Sequence, residues 1–251
     1  MLFKRCEFVS VLIDRFKQIL FVICVLTLVG CASTPKPALE TPFVEGIKEQ
    51  TQARVNAWKT LVKSGTDWPD NKKLNSVNDF INQLVFVDDI VHWKQEDYWA
   101  TPLQSIVSNG GDCEDFSIAK YFTLSAMGLD EKKLRLTYVK ALSINKPHMV
   151  VSYFSHPTAE PLLLDNLNEQ ILPASKRPDL LPVYSFNGSG LWLAKREHGG
   201  AYAGSSSRIS LWQKLRQSMD VEAANESQHI CLYQYYDLPD QRAKTFCPQT
   251  R

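Results

Sequence analysis

Apolar residues return at helical spacing through the first half of the chain and at every second position through most of the second half. Val44, Ile47, Val55, Trp58, Leu61 and Val62 predict an amphipathic helix over Val44 to Val62, and Leu74, Val77, Phe80, Ile81 and Leu84 predict another over Asn71 to Val85. Val87-Asp88-Asp89-Ile90-Val91-His92-Trp93 and Tyr98-Trp99-Ala100 follow, dense in the aromatic residues that build cores and groove walls. Thr101-Pro102 starts a short helix, with a threonine N-cap and proline at the first helical position, and Asn109-Gly110-Gly111 ends it. From Cys113 the apolar positions Phe116, Ile118, Ala119, Phe122, Leu124 and Met127 trace a helix that Gly128 closes. Beyond Gly128 the period changes to two. Leu134 to Val139, Met149 to Phe154 and Leu162 to Leu164 read as strands, and Val183 to Phe186 with Leu191 to Leu193 as a hairpin around Gly188 and Gly190. Gly199-Gly200 through Ser207 reads as a flexible loop and Ile209 to Val221 as a last helix. Helices followed by a run of strands predict an α+β fold with an antiparallel sheet.

The N-terminus carries an address. Ile19 to Gly30 is a continuous apolar run behind Arg15 and Lys17, shorter than the about 20 residues that span a bilayer as a helix. Its length and basic flank fit an export signal, and Leu28-Val29-Gly30-Cys31 is similar to a lipobox, whose cysteine becomes the lipidated first residue of the mature chain. An ordinary cleaved signal, an uncleaved anchor and a buried core helix are the other readings. The expected organisation is an export signal over 1–30, a proline-rich tether over 31–44, a catalytic domain over 45–222 and a tail over 223–251. Export would leave Cys113, Cys231 and Cys247 in the mature chain. In an oxidising compartment the last two could pair, leaving Cys113 as the free thiol; two unpaired tail cysteines are the alternative.

With 251 residues, 44% of them hydrophobic, the chain can bury one good core. Its 28 basic residues against 27 acidic ones leave no basic surplus, which argues against a nucleic-acid partner.

The candidate chemistry centres on Gly110-Gly111-Asp112-Cys113-Glu114-Asp115. A thiol at a helix N-terminus lies near the positive end of the helix dipole, which favours the nucleophilic thiolate. His148 on the second strand and Asp165 at the end of the third can supply a general base and the carboxylate that orients it, the arrangement of cysteine acyl-transfer sites. Asp112, Glu114 and Asp115 oppose the dipole by surrounding the thiol with negative charge. They read either as helix capping, with Asp112 at the N-cap, or as a calcium site, since hard cations collect carboxylate oxygens. Zinc is disfavoured, because no second thiol or imidazole lies close in sequence to Cys113 or His148.

These motifs taken together resemble the bacterial transglutaminase-like cysteine proteinases of the LapG type. The resemblance runs in order from about Asn75 to Trp192. It includes Asp97-Tyr98-Trp99-Ala100-Thr101-Pro102, the Gly-Asp-Cys-Glu-Asp motif, Leu134 to Val139, His148-Met149-Val150, Leu164-Asp165-Asn166-Leu167, Arg177-Pro178-Asp179-Leu180 and Tyr184-Ser185-Phe186-Asn187. It implies a papain-like, transglutaminase-core fold with Cys113, His148 and Asp165 as the triad. It implies calcium dependence, carried by Asp112 and Glu114, with Asp115 as a third acidic candidate that also serves the helix start. It further implies a periplasmic protease that clips the N-terminal region of a large surface adhesin after a pair of alanines, releasing cells from a biofilm. The partner it implies is an inner-membrane receptor of the LapD type that responds to cyclic-di-GMP. The lipobox departs from the soluble form expected of such proteases, since lipid on Cys31 would tether this chain to an envelope membrane. A crosslinking transglutaminase using the same triad and a non-catalytic envelope lipoprotein are the competing functions.

Overall fold

A computed structural model describes residues 41–194 and 200–227. The chain divides into two units, Met1–Phe43 and Val44–Arg251, and apart from the first residues of the opening helix every feature below belongs to the second. The export signal, the tether up to Glu40 and the Cys231–Cys247 pairing lie outside the described residues. Among those described, no helix is long and apolar enough to cross a membrane.

Helix α1 (Thr41–Ser64) begins ahead of the expected Val44, so the last residues of the expected tether are helical. Its Trp58 indole donates to Thr123 Oγ1 at 2.9 Å. Arg54 donates to the main-chain oxygens of Ile106 (2.7 Å) and Val107 (3.1 Å), placing a cation where the carbonyls of the next short helix accumulate negative charge. Helix α2 (Asp70–Ile81) stops short of the expected Val85. The reason is tertiary: the Asn82 side chain donates to the Asp165 main-chain oxygen at 3.0 Å, and Val85–Phe86 becomes a strand, β1. Strand β1 pairs in parallel with β2 (Gly110–Gly111), a contact between distant segments that local periodicity cannot announce. Between them lie α3 (Asp89–His92) and α4 (Pro102–Ser108). Helix α4 starts with the predicted threonine cap as a full capping box, Thr101 Oγ1 accepting from the Gln104 N–H and Gln104 accepting from the Thr101 N–H.

Helix α5 (Cys113–Ala126) is the central element. It ends at Gly128 (φ +79°), where the Leu129 N–H reaches back to the Leu124 carbonyl at 3.1 Å. The predicted strands, joined by β6 and β9, which the period does not announce, form one antiparallel sheet: β3 (Leu134–Ala141), β4 (Lys146–Tyr153), β5 (Leu162–Leu164), β6 (Leu172–Pro173), β7 (Leu180–Phe186), β8 (Leu191–Leu193) and β9 (Ala201–Gly204). The spatial order is β6-β5-β4-β3-β7-β8-β9. Strand β9 corrects the expected loop: Trp192 and Tyr202 pair across β8 and β9 with rings 5.9 Å apart, a cross-strand contact that offsets the low strand propensity of this glycine-rich stretch. Helix α6 (Ser210–Ser227) runs past the expected Val221, because Glu222, a residue no apolar period flags, is buried against the Thr101 hydroxyl at 2.5 Å.

The core lies where α5 covers β3 and β4. Ile118, Leu124, Leu134, Leu136, Met149 and Val151 are fully buried there, with α2 adding Val77 and Ile81 and α6 adding Trp212. The mixed helices and antiparallel sheet are the α+β arrangement the pattern predicts.

Candidate active site

The turn that carries Cys113 is shaped by what its glycines leave out. Asn109 ends α4 in the left-handed region (φ 61°, ψ 34°). A Cβ on Gly110 would stand 2.8 Å from the Val85 carbonyl oxygen, and one on Gly111 would run into the Asp115 side chain. Without those side chains, β2 can lie against β1 and the Asp115 carboxylate can fold under the turn. Asp112 then caps α5 as predicted, its Oδ1 accepting from the Glu114 N–H at 3.1 Å, and Cys113 is the first helical residue.

The thiol is caught between opposing influences. It donates to Glu114 Oε2 at 2.7 Å, and the Met149 N–H on β4 is directed at the sulfur. Burial pushes the thiol pKa far up, the charges of Glu114 and Asp112 push it further, and the Met149 N–H pulls back only weakly. Burial, with the carboxylates adding to it, therefore outweighs the helix dipole that by itself favours the thiolate.

His148 and Asp165 meet as a buried pair. Strand β4 carries His148 next to Met149, and Asp165 follows directly after β5, which pairs with β4. His148 Nε2–H donates to Asp165 Oδ1 at 2.7 Å, which leaves Nδ1 as the ring nitrogen able to accept a proton. The same Oδ1 accepts from the Leu167 N–H at 3.0 Å, and Oδ2 accepts from Arg177 Nη2 at 2.7 Å. Burial acts to raise the Asp165 pKa, but the hydrogen bond and charge of His148, with the Leu167 N–H and Arg177, bring it down to about 2. Arg177 is held in turn by Asp179 at 2.8 Å. The structure thus brings Asp165 onto His148, and brings Cys113 against the residue that follows His148.

The acidic residues form a larger group than the sequence motif contains. Carboxylate oxygens of Asp89, Asp112 and Asp115 lie within 4.8 Å of one another, as do the ligand atoms of Asp112, Cys113 and Glu114. Asp115 is wholly buried, accepting from the Trp93 indole (3.0 Å) and from the Ala100 N–H (2.8 Å), so it braces the preceding loop as well as the helix start. Asp89 enters through the β1–β2 pairing, which carries α3 up to the turn. One of its oxygens accepts from the Tyr98 N–H at 2.6 Å, and the other is buried without a partner. Burial and mutual repulsion raise the pKa of Asp89 to about 6 and of Asp115 to about 8, and raise Asp112 as well. An all-carboxylate donor set, with one buried oxygen unsatisfied, fits a hard divalent cation.

Two contributors escaped the sequence reading. Asp89 lies 23 positions before Asp112 in a stretch marked only by its aromatic neighbours; the doublet Asp88-Asp89 was its one signal. Arg177 belonged to a quoted motif, yet nothing local ties it to Asp165. His92, in the aromatic-rich stretch before Tyr98, meets Ser108 Oγ at 2.9 Å. Tyr138 and Tyr184 stack with rings 5.1 Å apart, and burial raises both phenol pKa values, with the Glu114 charge adding to each.

The family model described as bacterial transglutaminase-like cysteine proteinase matches residues 34–192. Among solved structures the chain is similar to EGTA-treated LapG of Legionella pneumophila, with 44% identity, a TM-score of 0.61 and coverage of 70% of this chain and 97% of that one. It is similar to calcium-bound LapG of the same organism, with 42% identity, a TM-score of 0.58 and coverage of 68% and 98%. Among curated protein sequences, none matches the chain.

Proposed function

This chain belongs to the bacterial transglutaminase-like cysteine proteinases, and from that premise we propose that it is a calcium-dependent endopeptidase in which Cys113, His148 and Asp165 act together. The observation that carries the reading is the buried His148–Asp165 pair, whose Nδ1 is left open beside the strand residue that touches the Cys113 sulfur. In this mechanism His148 Nδ1 takes the thiol proton while Asp165, fixed by Arg177, holds the ring in one tautomer and supports its positive charge. The sulfur attacks the peptide carbonyl, the imidazolium gives its proton to the leaving amine, and water activated by the same ring releases the acyl group. The Cys113 main-chain N–H is the natural first donor to the oxyanion.

Asp112, Glu114 and Asp89 would hold the calcium, with Asp115 behind them. When bound, the ion supplies positive charge where these carboxylates otherwise oppose the thiolate. LapG of Legionella pneumophila has been solved both calcium-bound and EGTA-treated, which supports the same dependence here. The chain's own part is to keep Glu114 within hydrogen-bonding reach of the thiol, so that the state of that carboxylate governs whether Cys113 can give its proton to His148.

By the same resemblance, the substrate is the N-terminal region of a large surface adhesin, cut after an Ala-Ala pair, and the consequence is release of cells from a biofilm. On the resemblance the enzyme works in the periplasm, restrained by a cyclic-di-GMP receptor of the LapD type, and the lipobox, not the resemblance, adds a membrane anchor through lipid on Cys31. The test incubates the purified protein with the N-terminal segment of a candidate adhesin and reads the products by mass spectrometry. Cleavage is expected with calcium, none with EGTA, and recovery when calcium is returned. Full activity of the metal-stripped protein would sink the calcium dependence, and glutamine–lysine crosslinks in place of cleavage would replace the protease with a transglutaminase.

A further inference from the structure

The loop that braces the acidic group is held in turn by a helix that this mechanism leaves unused. Ala100 and Thr101, in the irregular stretch before α4, are fully buried, and buried main chain outside a helix or sheet must still find hydrogen-bond partners. Here side chains supply them. The Tyr98 N–H donates to Asp89 Oδ2 at 2.6 Å, the Ala100 N–H to Asp115 Oδ1 at 2.8 Å and the Thr101 N–H to Gln104 Oε1 at 2.8 Å. Asp89 and Asp115 belong to the acidic group, so the loop and that group fix each other.

The end of the loop reaches α6. The Thr101 hydroxyl donates to Glu222 Oε1 at 2.5 Å and accepts from the Gln104 N–H at 3.2 Å, and the Gln104 side-chain amide donates to the Tyr98 hydroxyl at 2.8 Å. Every step from Glu222 to Asp89 and Asp115 is thus a hydrogen bond or the main chain of residues 98–101. Helix α6 is anchored independently of this contact: Trp212 stacks on Phe122 of α5 with rings 5.5 Å apart, and Leu215 is buried in the same core. The helix lies beyond residues 34–192, the stretch that the family model matches.

We propose that Glu222 is a positioning residue for the calcium site, the contact through which the last helix holds the main chain of residues 98–101, and with it Asp89 and Asp115, in the geometry that takes the cation. The inference rests on the calcium reading above. Without Glu222 the Thr101 hydroxyl loses its acceptor in a buried place, and the loop must turn or admit water to satisfy it. Either change moves the Tyr98 and Ala100 N–H groups that aim the two carboxylates.

The experiment compares full-length wild type, Glu222→Gln, Glu222→Ala and Asp112→Asn. Isothermal titration reads calcium affinity, and amide hydrogen exchange in EGTA reads Tyr98 to Thr101 against strands β3 and β4. Glu222→Gln keeps an oxygen that can accept from Thr101 and removes the carboxylate; Glu222→Ala removes both. Glu222→Ala is expected to weaken calcium binding about tenfold and to speed exchange at Tyr98 and Ala100 at least about fivefold, with β3 and β4 exchanging as in wild type. Glu222→Gln should stay close to wild type in both. Wild-type affinity in Glu222→Ala overturns the role of Glu222. So does a loss accompanied by faster exchange throughout β3 and β4, which marks a general weakening of the fold. An equal loss in Glu222→Gln and Glu222→Ala also overturns it, since the effect would then lie in the charge and not in the contact. Calcium binding absent from wild type, or undiminished in Asp112→Asn, instead overturns the calcium reading, and with it this proposal.

Discussion

At the residue scale, the site is decided by which charges are buried together. Cys113 carries the right atom in the right place, yet burial and two adjacent carboxylates hold it as a thiol. Asp165 has the opposite fate, because its oxygens receive hydrogen bonds from His148, Arg177 and a main-chain N–H. Asp89 is the most informative side chain, since its unpartnered oxygen completes an acidic group that the sequence motif only half contains. Replacing it keeps size and removes charge: Asp89→Asn is expected to weaken calcium binding at least about tenfold, with cleavage restored at high calcium. Isothermal titration with calcium and the calcium dependence of cleavage measure this, and an unchanged affinity would remove Asp89 from the ligand set.

At the element scale, much of the fold was legible and the exceptions share a cause. The Thr101-Pro102 start, the Asp112 cap and the Gly128 close came through because each is a local device with a local residue signature. Helix α2 ended early and α6 ran long because Asn82 and Glu222 find partners far away in the chain, and β9 replaced a loop because Trp192 and Tyr202 meet across neighbouring strands. The paired glycines before Cys113 were read as a helix stop. Their deeper role is to leave room, Gly110 for the Val85 carbonyl and Gly111 for the Asp115 side chain. Gly111→Ala is accordingly expected to cost about 2–4 kcal/mol of stability and to displace Cys113, cutting kcat/KM at least about a hundredfold. A denaturant titration and the cleavage assay check both; a variant of wild-type stability and activity would show that the turn has slack the geometry denies.

At the scale of the whole molecule, stability and function oppose each other around the thiol. Asp89 and Asp115 have folded-state pKa values of about 6 and 8, above the about 3.9 of an unfolded aspartate. Their contribution to stability is complete below about pH 4 and is lost as pH rises through the folded values. Asp165, lowered to about 2, works the other way: its contribution is complete above about pH 4 and is lost as pH falls toward 2. In EGTA the melting temperature is therefore expected to be highest near pH 4–5, to fall toward pH 8.5, and to lose most of that alkaline fall in saturating calcium. Thermal unfolding across pH with and without calcium reads this, and a flat profile in EGTA would mean the acidic group is better solvated than its burial implies.

The sequence by itself determined the order of helices and strands, the α+β class, the caps that place Cys113 first in its helix, and the motif that marks the family. Those depend on periodicity and on neighbours a few residues apart, which the chain writes directly. Only the tertiary structure decided that Asp89 joins the acidic group and that Arg177 steadies Asp165. These contacts join residues a dozen or more positions apart, made by burying charges together, and no local pattern records which distant charge will be the partner.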